Sequence, residues 1–599
     1  MNRENILLWI LLAVTAGVAG AVERHVPDPY PTIQAAIDDA NDGDHVVIAP
    51  GTYTGPGNRD IDFLGKAITV RSTNPADEAV VEATIIDGQD LYRGFILQNG
   101  EDANSVIAGL TITRGYAPYG AAIYCVHGSP TIERCRVLSC TATKYKGSGV
   151  YLEGTNGRIA NCAFNGNGWG TVHCDSAVRL SVEDCTFESN NSAVVLERVG
   201  SAQFTRCRFI SNSIALSSAY SAVTVSDCDF SFNGPSACVQ SYHDTAFVAV
   251  QCTFVANRLS NPRVAIAGGA FCATHTPRVR FTQCLFAGNT GANLGGAVYA
   301  HNVGLSFQVD NCTFTGNRAL IGRSLAIHSF YSCRIRSTIL LEGGNELYFS
   351  TGNQVEVAYS NVEGGWSGIG NISMDPCFVE PGYWDANGTP DDTRDDIWVN
   401  GDYHLKSQAG RWDTTAGQWI LDDVTSPCID AGDPAEPLGA ELPPNGGRIN
   451  MGAYGGTTEA SRSFFGEPLC QTILPGDVNG DCRVDMADFA LMAANWTAVV
   501  SFQATEPYPF DGARGTGFVL TRRPAEGAVA HGVYFGSDFE TVRDADQESQ
   551  VYRGTVVIPY FDAFEFRTGS QDQMYFWRID EVYGGATIKG SVWSFTPTR

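Results

Sequence analysis

The chain repeats one short phrase, Cys-x-Phe-x-x-Asn, through much of its first half. Seven copies are nearly identical, and degenerate copies at Cys135 and Cys333 flank them. The seven begin at Cys162, Cys185, Cys207, Cys228, Cys252, Cys284 and Cys312. Neighbouring copies lie 21 to 32 residues apart, are rich in β-forming residues and show no helical periodicity. Such a period is typical of a solenoid, in which each coil buries its inner face only against its neighbours.

Each repeat predicts three short strands separated by tight bends. In the unit that contains Cys312 we expect strands at 296–299, 305–309 and 312–314. Cys and Phe alternate, so both point inward from the third strand. The Asn that follows is expected at the next bend, because Asn tolerates left-handed backbone and bonds its own main chain. The fold class is therefore mainly β, a parallel β-helix of about eleven or twelve coils, since propeller blades need about 40–45 residues each.

The chain has eighteen cysteines, and those of the repeat are predicted to be free. Residues stacked in register have Cβ atoms about 4.8 Å apart, whereas a disulfide needs about 3.8 Å. We expect buried, inert thiols that act as small apolar core residues. Cys470 and Cys482 form a better candidate disulfide, and Cys377 with Cys428 a weaker one.

The first 21 residues are typical of a signal peptide. A basic start at Arg3 precedes an apolar stretch at 6–18, and the small residues 19–21 predict cleavage after Ala21. No later run of about 20 apolar residues occurs, so the mature protein is predicted to be secreted or at the cell surface and not membrane-embedded. The net charge of −26 argues against nucleic acid as a partner.

The segment after the signal peptide predicts an amphipathic helix with Thr32 as its N-cap. Its apolar residues are spaced i, i+3, i+4, i+7; they are Ile33, Ala36, Ile37 and Ala40. The segment resembles the N-terminal cap of pectin-lyase-like, right-handed parallel β-helix proteins, which implies that residues 22–370 form such a β-helix. Residues 371–463 resemble the terminal segment of secreted β-helix proteins of planctomycete-type bacteria, which implies a distal cap.

Residues 464–500 contain a loop with the spacing of a calcium site. Oxygen ligands are expected from Asp477, Asn479, Asp481, the carbonyl of Arg483, Asp485 and Asp488. The loop resembles one half of a dockerin, which implies structural Ca²⁺. Cys482 replaces the usual Gly, and only one copy is present where cohesin-binding dockerins have two, so a cohesin-like partner is disfavoured.

Residues 506–599 alternate strands and turns, and they resemble a fibronectin-III-like or immunoglobulin-like β-sandwich.

No recognisable catalytic set emerges from the sequence. The nearest constellation is a row of histidines on successive coils, with His243, His275, His301 and the following Arg278 as weak catalytic candidates. His127, His173 and His328 occupy similar turns, and all of these histidines can equally be polar turn residues that recur because the coils repeat.

Four aromatic residues predicted to be exposed offer stacking surfaces for sugars, or else pack in the core or cap. They are Tyr116, Tyr119, Tyr145 and Trp169.

Three functional hypotheses follow from these observations. The first is a secreted or cell-surface protein that binds polysaccharide or cell-envelope partners without catalysis. The second is a polysaccharide lyase or glycoside hydrolase that acts from the β-helix face, since this fold hosts both. The third is a structural adhesion rod. The sequence directs attention to the irregular coils between Cys228 and Cys312, where the repeat lengthens.

Overall fold

The computed structural model describes two compact units. In the first it describes residues 21–260, 267–350, 352–390, 392–393 and 395–463. In the second it describes residues 505–508, 513–515, 519–523, 530–556, 560–562, 574–583 and 586–597. The predicted calcium loop, the signal peptide up to residue 20 and the pair Cys470 and Cys482 lie outside these residues.

The first unit is a column of three parallel ladders, with one strand of each ladder in a typical coil. The first ladder consists of Ile61–Asp62, Phe95–Leu97, Ile123–Val126, Val150–Glu153, Val172–Asp175, Val194–Glu197, Leu216–Ala219, Val239–Tyr242, the first halves of Phe271–Thr282, Val298–Asp310 and Leu325–Arg336, and Leu347–Phe349.

The second ladder consists of Glu23–Val26, His45–Ile48, Thr69–Ser72, Val106–Ala108, Thr131–Glu133, Asn156–Ala160, Arg179–Glu183, Ser201–Thr205, Ala222–Ser226, Ala246–Val250, the second halves of the same three long strands, and Gly352–Ala358. The third consists of Gly51–Tyr53, Thr84–Asp87, Thr111–Thr113, Arg136–Leu138, Ala163–Asn165, Thr186–Glu188, Arg208–Ile210, Asp229–Ser231, Thr253–Val255, Leu285–Ala287, Thr313–Thr315, Ile339–Leu341 and Asn361–Val362.

The parallel β-helix predicted from the repeat is confirmed, with about 13 turns in place of eleven or twelve. The count from sequence was low because the early coils lack the Cys-x-Phe phrase. The bend before each repeat cysteine from Cys135 to Cys312 is also present, and the residue just before the cysteine takes a left-handed backbone, for example Asp184 with φ 52° and Arg206 with φ 52°. The predicted last copy at Cys333 is wrong, because Cys333 lies within the strand Leu325–Arg336 in register with Phe307 of the second ladder.

The repeated phenylalanines form a continuous stack inside the column. Their neighbouring ring centroids are 4.5–4.9 Å apart, with interplanar angles of 1–5°. The stack comprises Phe164, Phe187, Phe209, Phe230, Phe254, Phe286 and Phe314. Offset stacking of this kind adds about 0.5–1.5 kcal/mol per pair beyond area burial. The rings therefore help to hold successive coils in register.

The repeat cysteines are buried free thiols, as predicted. Most of these sulfurs bond backbone groups of the preceding coil; for example, Cys162 Sγ accepts from the Cys135 N–H at 3.4 Å and donates to the Ile132 carbonyl at 3.7 Å. Burial raises the pKa of the Cys162 thiol well above its ordinary value, so the reactive thiolate is suppressed there. The suggested Cys377–Cys428 disulfide is wrong, since both thiols are free.

The repeated asparagines form a second buried row, whose hydrogen bonds run between coils. The row passes from Asn167 through Asn190, Asn212, Asn233, Asn257, Asn289 and Asn317 to Glu342. The conformational reason given for Asn was wrong, because the left-handed residue is the one before it, such as Ser211 with φ 55°. Asn instead satisfies backbone groups of the neighbouring coil with its amide.

Two short helices accompany the first coils, Ile33–Asp39 and Glu78–Ala83. Thr32 is the N-cap of the first helix as predicted, and its hydroxyl accepts from the Ala35 N–H at 3.2 Å. The side chains of Ile33, Ala36 and Ile37 are buried in the same cluster as the column core. The role of this helix as an end cap stays a prediction.

Residues 371–463 pack against the outer flank of the last coils. Three short antiparallel strand pairs lie here, Phe378–Glu380 with Asp402–Leu405, Tyr383–Asp385 with Ile397–Val399, and Arg411–Asp413 with Gln418–Ile420. Trp398 lies against Gly288 and Gly316, where an added Cβ would meet its ring at 2.1 Å. Both positions also have a left-handed backbone, with φ 62° and 65°. Glycine is therefore favoured at each position for two reasons, the close approach of the Trp398 ring and the backbone conformation. We call residues 371–463 the flank segment.

Among its described residues, the second unit contains two sheets and the helix Phe539–Asp544. One sheet consists of Thr505–Tyr508, Val519–Arg523 and Tyr560–Asp562. The other consists of Ala513–Gly515, Ala530–Gly536, Tyr552–Val556, Tyr575–Tyr583, Ala586–Ile588 and Val592–Pro597. The fibronectin-III-like or immunoglobulin-like assignment stays a prediction. In the part of the chain that the structure describes, no helix is both long and apolar enough to cross a bilayer.

Candidate functional site

Two neighbouring strands of the first ladder place ionisable side chains on the outer surface of the column. Val172 and Cys174 belong to the core, so His173 and Asp175 of the same strand point outward. The strand Val194–Glu197 follows in register and sets Glu197 beside Asp175. Coil stacking thus brings together groups that are far apart in sequence.

The strand Thr141–Lys146 reaches over these side chains from an earlier coil. It pairs with Tyr116–Tyr119 in a separate two-stranded sheet outside the three ladders. The Lys146 ammonium donates to Glu197 at 3.1 Å and lies 3.7 Å from Asp175. This contact helps to explain why the outward-facing His173 is only 1 % exposed.

Arg198 completes the group from the bend after the strand that carries Glu197. Its backbone is left-handed, with φ 57°, and its guanidinium donates to Asp175. We call Lys146, His173, Asp175, Glu197 and Arg198 the ionisable cluster. The charges of its two carboxylates and two cations cancel. The partly exposed side chains of Lys146 and Arg198 contact solvent.

His173 is the least satisfied member of the ionisable cluster. Its ring stacks on Tyr151, with centroids 5.6 Å apart, and neither ring nitrogen has a hydrogen-bond partner. Burial, with the charge of Lys146, lowers the pKa of His173 to about 4, so the imidazole is neutral at pH 7. The Tyr151 hydroxyl donates to Glu153 at 2.8 Å, and burial raises the pKa of this phenol. The cluster therefore offers a neutral imidazole beside carboxylates and cations.

Three of the four aromatic residues singled out from the sequence lie near the ionisable cluster, and Tyr116 lies farther along the small sheet, opposite Thr141. All four are exposed, with fractions of 43 % for Tyr116, 37 % for Tyr119, 71 % for Tyr145 and 38 % for Trp169. Tyr145 directly precedes Lys146, Tyr119 is paired with Lys146 across the small sheet, and Trp169 lies in the coil of His173. We call these four residues the aromatic rim. Core packing, the alternative left open for them, is wrong.

The predicted histidine row exists farther along the column. Successive ring centroids are 6.2 Å apart for His243 and His275, 6.0 Å for His275 and His301, and 6.3 Å for His301 and His328. His243 and His275 are exposed, as is Arg278 in the same long strand as His275. His173 does not join this row, because the coils of Val194–Glu197 and Leu216–Ala219 lie between them. A catalytic role for the row stays a prediction.

The sequence analysis did not assemble the ionisable cluster, although a signal for it was available. When the coils are aligned by strand register, the last residue of the first-ladder strand is Glu153, Asp175 and Glu197 in three successive coils. Acidic residues at one outward position on stacked strands repel each other. Such a row therefore indicates a cationic partner, which here includes Lys146 and Arg198.

Comparisons with known proteins concern mainly the fold. Residues 93–259 match the family described as "Right handed beta helix region", and residues 354–432 match the family described as "Disaggregatase related". No curated protein matches the chain. A solved PL6 family alginate lyase, AlyGC, shares 11 % identity at a TM-score of 0.29, over 71 % of this chain and 60 % of that one. The chain thus carries a right-handed β-helix region within a solenoid of about 13 turns.

Proposed function

We propose that the chain binds polysaccharide on the face formed by the aromatic rim and the ionisable cluster. The observation that carries this proposal is the set of exposed aromatic side chains near the ionisable cluster, whose His173, Asp175 and Glu197 stand on the first ladder. Aromatic rings stack on the apolar faces of sugars, while charged groups bond their hydroxyl or carboxylate substituents. A cell-envelope glycan would satisfy the same chemistry.

Variants of the aromatic rim test the binding proposal. We expect Tyr145→Ala and Trp169→Ala each to weaken glycan binding by about three- to tenfold, which is the energy of one aromatic contact. Leu305→Ala removes an apolar side chain whose exposure (57 %) lies between those of Trp169 and Tyr145; it comes from a later coil and serves as the control. Calorimetry against a panel of uronate and neutral glycans measures the affinities. Equal affinities for all three variants and the parent would contradict the proposal.

A second candidate function is cleavage of the bound glycan, as a lyase or a glycoside hydrolase. The ionisable cluster favours it, since a lyase needs a base and a cation for the uronate, and a hydrolase needs two nearby carboxylates. Unsaturated products would indicate the lyase, and new reducing ends without unsaturation the hydrolase. We expect Lys146→Met to abolish such activity and His275→Ala with His301→Ala to retain it. The opposite pattern would move the reaction to the histidine row.

We also propose export with cleavage after Ala21 and structural Ca²⁺ in the loop that begins at Asp477. The apolar leader and the small residues before Val22 support export. The alternate oxygen-bearing residues of the loop support Ca²⁺. Mass spectrometry of the exported protein should find Val22 as its first residue. Calcium uptake measured by calorimetry should lose one equivalent in Asp477→Ala, and uptake identical to that of the parent would refute the loop assignment.

We also propose roles for the N-terminal helix and for residues 506–599. Helix Ile33–Asp39 would cap the column, since its buried face joins the first coils. Residues 506–599 would form a fibronectin-III-like attachment domain. Deletion of 506–599 should leave glycan binding by the first unit unchanged and should reduce retention at the cell surface. Loss of glycan binding on deletion would instead place the binding face in the second unit.

A further inference from the structure

The state of His173 calls for a physical explanation. The side chain is 1 % exposed, and neither nitrogen has a hydrogen-bond partner. A buried polar group without a partner has lost its hydrogen bonds to water without replacing them, and native structures contain few such groups. The unsatisfied imidazole also lies beside two carboxylates rather than in an apolar pocket. An arrangement of this kind is expected where a bound group completes the site.

We propose that His173, Asp175 and Glu197 bind a divalent transition-metal ion such as Zn²⁺ or Mn²⁺. One ligand atom from each residue lies within 4.8 Å of the other two, so small side-chain rotations suffice to surround one ion. One imidazole with two carboxylates suits Zn²⁺, Mn²⁺ or Fe²⁺, whereas Ca²⁺ and Mg²⁺ prefer oxygen ligands alone. Three protein ligands leave a coordination position open for a further group.

The backbone supplies the rigidity that such a site needs. His173 and Asp175 alternate on one strand, and Glu197 is the register partner of Asp175 on the next. All three ligands therefore come from the first ladder and none from a loop. The ring of Tyr151 stacks on His173 and restrains the orientation of the imidazole. Ligands held by secondary structure and by packing bind metal without first being ordered.

Lys146 and Arg198 neutralise the carboxylates when no ion is bound. A metal ion replaces these contacts, and both cations have half-exposed side chains that can turn toward solvent. With the ion bound, the site gains net positive charge and the released cations face outward. An anionic group at the open coordination position would then be flanked by Lys146 and Arg198. The metal ion and the two cations thus compete for the same oxygens.

The test uses the full mature chain, stripped with EDTA and then freed of the chelator, with no glycan and no added ion other than Ca²⁺ and the transition metal. Ca²⁺ is kept in excess and the parent carries Asp477→Ala, so that the loop near Asp477 does not contribute. We expect one equivalent of Zn²⁺ by calorimetry and, with Co²⁺, visible d–d absorption. His173→Gln, Asp175→Asn and Glu197→Gln should each weaken binding at least tenfold. His25→Gln, an exposed strand histidine beside Glu23, should not.

The expected outcomes separate this inference from the glycan proposal. Circular dichroism and the thermal midpoint show whether each variant folds; if His173→Gln does not, the two carboxylate variants decide. Lys146→Met should bind Zn²⁺ more tightly than the parent, because it removes a competing cation. The inference is wrong if the parent shows no Co²⁺ absorption, or if metal affinity is the same in the parent and the three ligand variants. Neither result depends on whether the chain binds a glycan.

Discussion

A single buried amide, Asn212, shows how the column satisfies the hydrogen bonds of its buried polar groups. Its Oδ1 accepts from the N–H and from the Nδ2 of Asn190, at 3.0 and 2.9 Å. Its Nδ2 donates to the Phe187 carbonyl and to Asn233 Oδ1, at 2.9 and 3.1 Å. The side chain therefore uses all four of its hydrogen-bonding positions. Cysteine and phenylalanine supply the apolar interior, while asparagine satisfies the backbone at the corner.

Substitution of this amide should be costly even when its shape is kept. We expect Asn212→Asp to lower the free energy of unfolding by about 3–5 kcal/mol, because a buried carboxylate would face the two acceptors that now receive N–H groups. Urea denaturation measures the change. Asn191→Asp, at an exposed position in the adjacent coil, is the matched control. Equal destabilisation by the two substitutions would show that the hydrogen bonds between coils contribute little.

At the scale of elements, the flank segment depends on a buried carboxylate, Glu441. Its Oε1 accepts from the N–H groups of Asn450 and Gly456, both at 2.8 Å, while Oε2 is buried without a partner. Burial raises the pKa of Glu441 to about 7. The folded protein therefore holds a proton here that the unfolded chain releases above its ordinary pKa.

This carboxyl group predicts a pH dependence with a definite sign. Its contribution to stability is fully present below the unfolded pKa and is lost as pH rises through about 7. Glu441→Gln keeps a neutral acceptor at all pH values. Relative to the parent, it should gain about 2–3 kcal/mol between pH 5 and pH 8. Urea titrations at both pH values measure this difference, with the half-exposed Glu436→Gln as control. A constant difference between variant and parent would contradict the assignment.

At the scale of the whole molecule, the cysteines distinguish a free-thiol core from a disulfide framework. Of the sixteen free cysteines among the described residues, only Cys377 is not buried. We expect a thiol reagent to label the Cys377 peptide in the native protein and the repeat peptides only after unfolding, since the repeat thiols are buried away from the reagent. Peptide mapping by mass spectrometry checks this. Disulfide-linked repeat peptides, or their labelling in native protein, would refute the free-thiol core.

The sequence predicted the column better than it predicted the site, for a physical reason. Strand spacing and inward alternation are local and repeat in every coil, so Cys162, Phe164 and their equivalents could be placed directly. The ionisable cluster joins Lys146, which lies on an excursion from the regular coil, to residues of two other coils. The cluster forms only because the strand Thr141–Lys146 packs over these two coils, and the repeat pattern of the sequence does not predict where that strand lies. The irregular coils after Cys228 contain the histidine row but not this cluster.

The asparagine row has a direction, and that direction bears on how the column can change its length. Each amide passes its N–H to the next coil, and the last one, Asn317, donates to Glu342 at 2.6 Å. The carboxyl group of Glu342 accepts this bond through Oε1 and has no amide N–H to pass to a further coil. Duplication of an inner coil would insert one more asparagine into the row and leave the first and last hydrogen bonds of the row unchanged. A coil added after Glu342 would receive no side-chain amide donor, so lengthening of this β-helix by duplication is expected only on the N-terminal side of that residue.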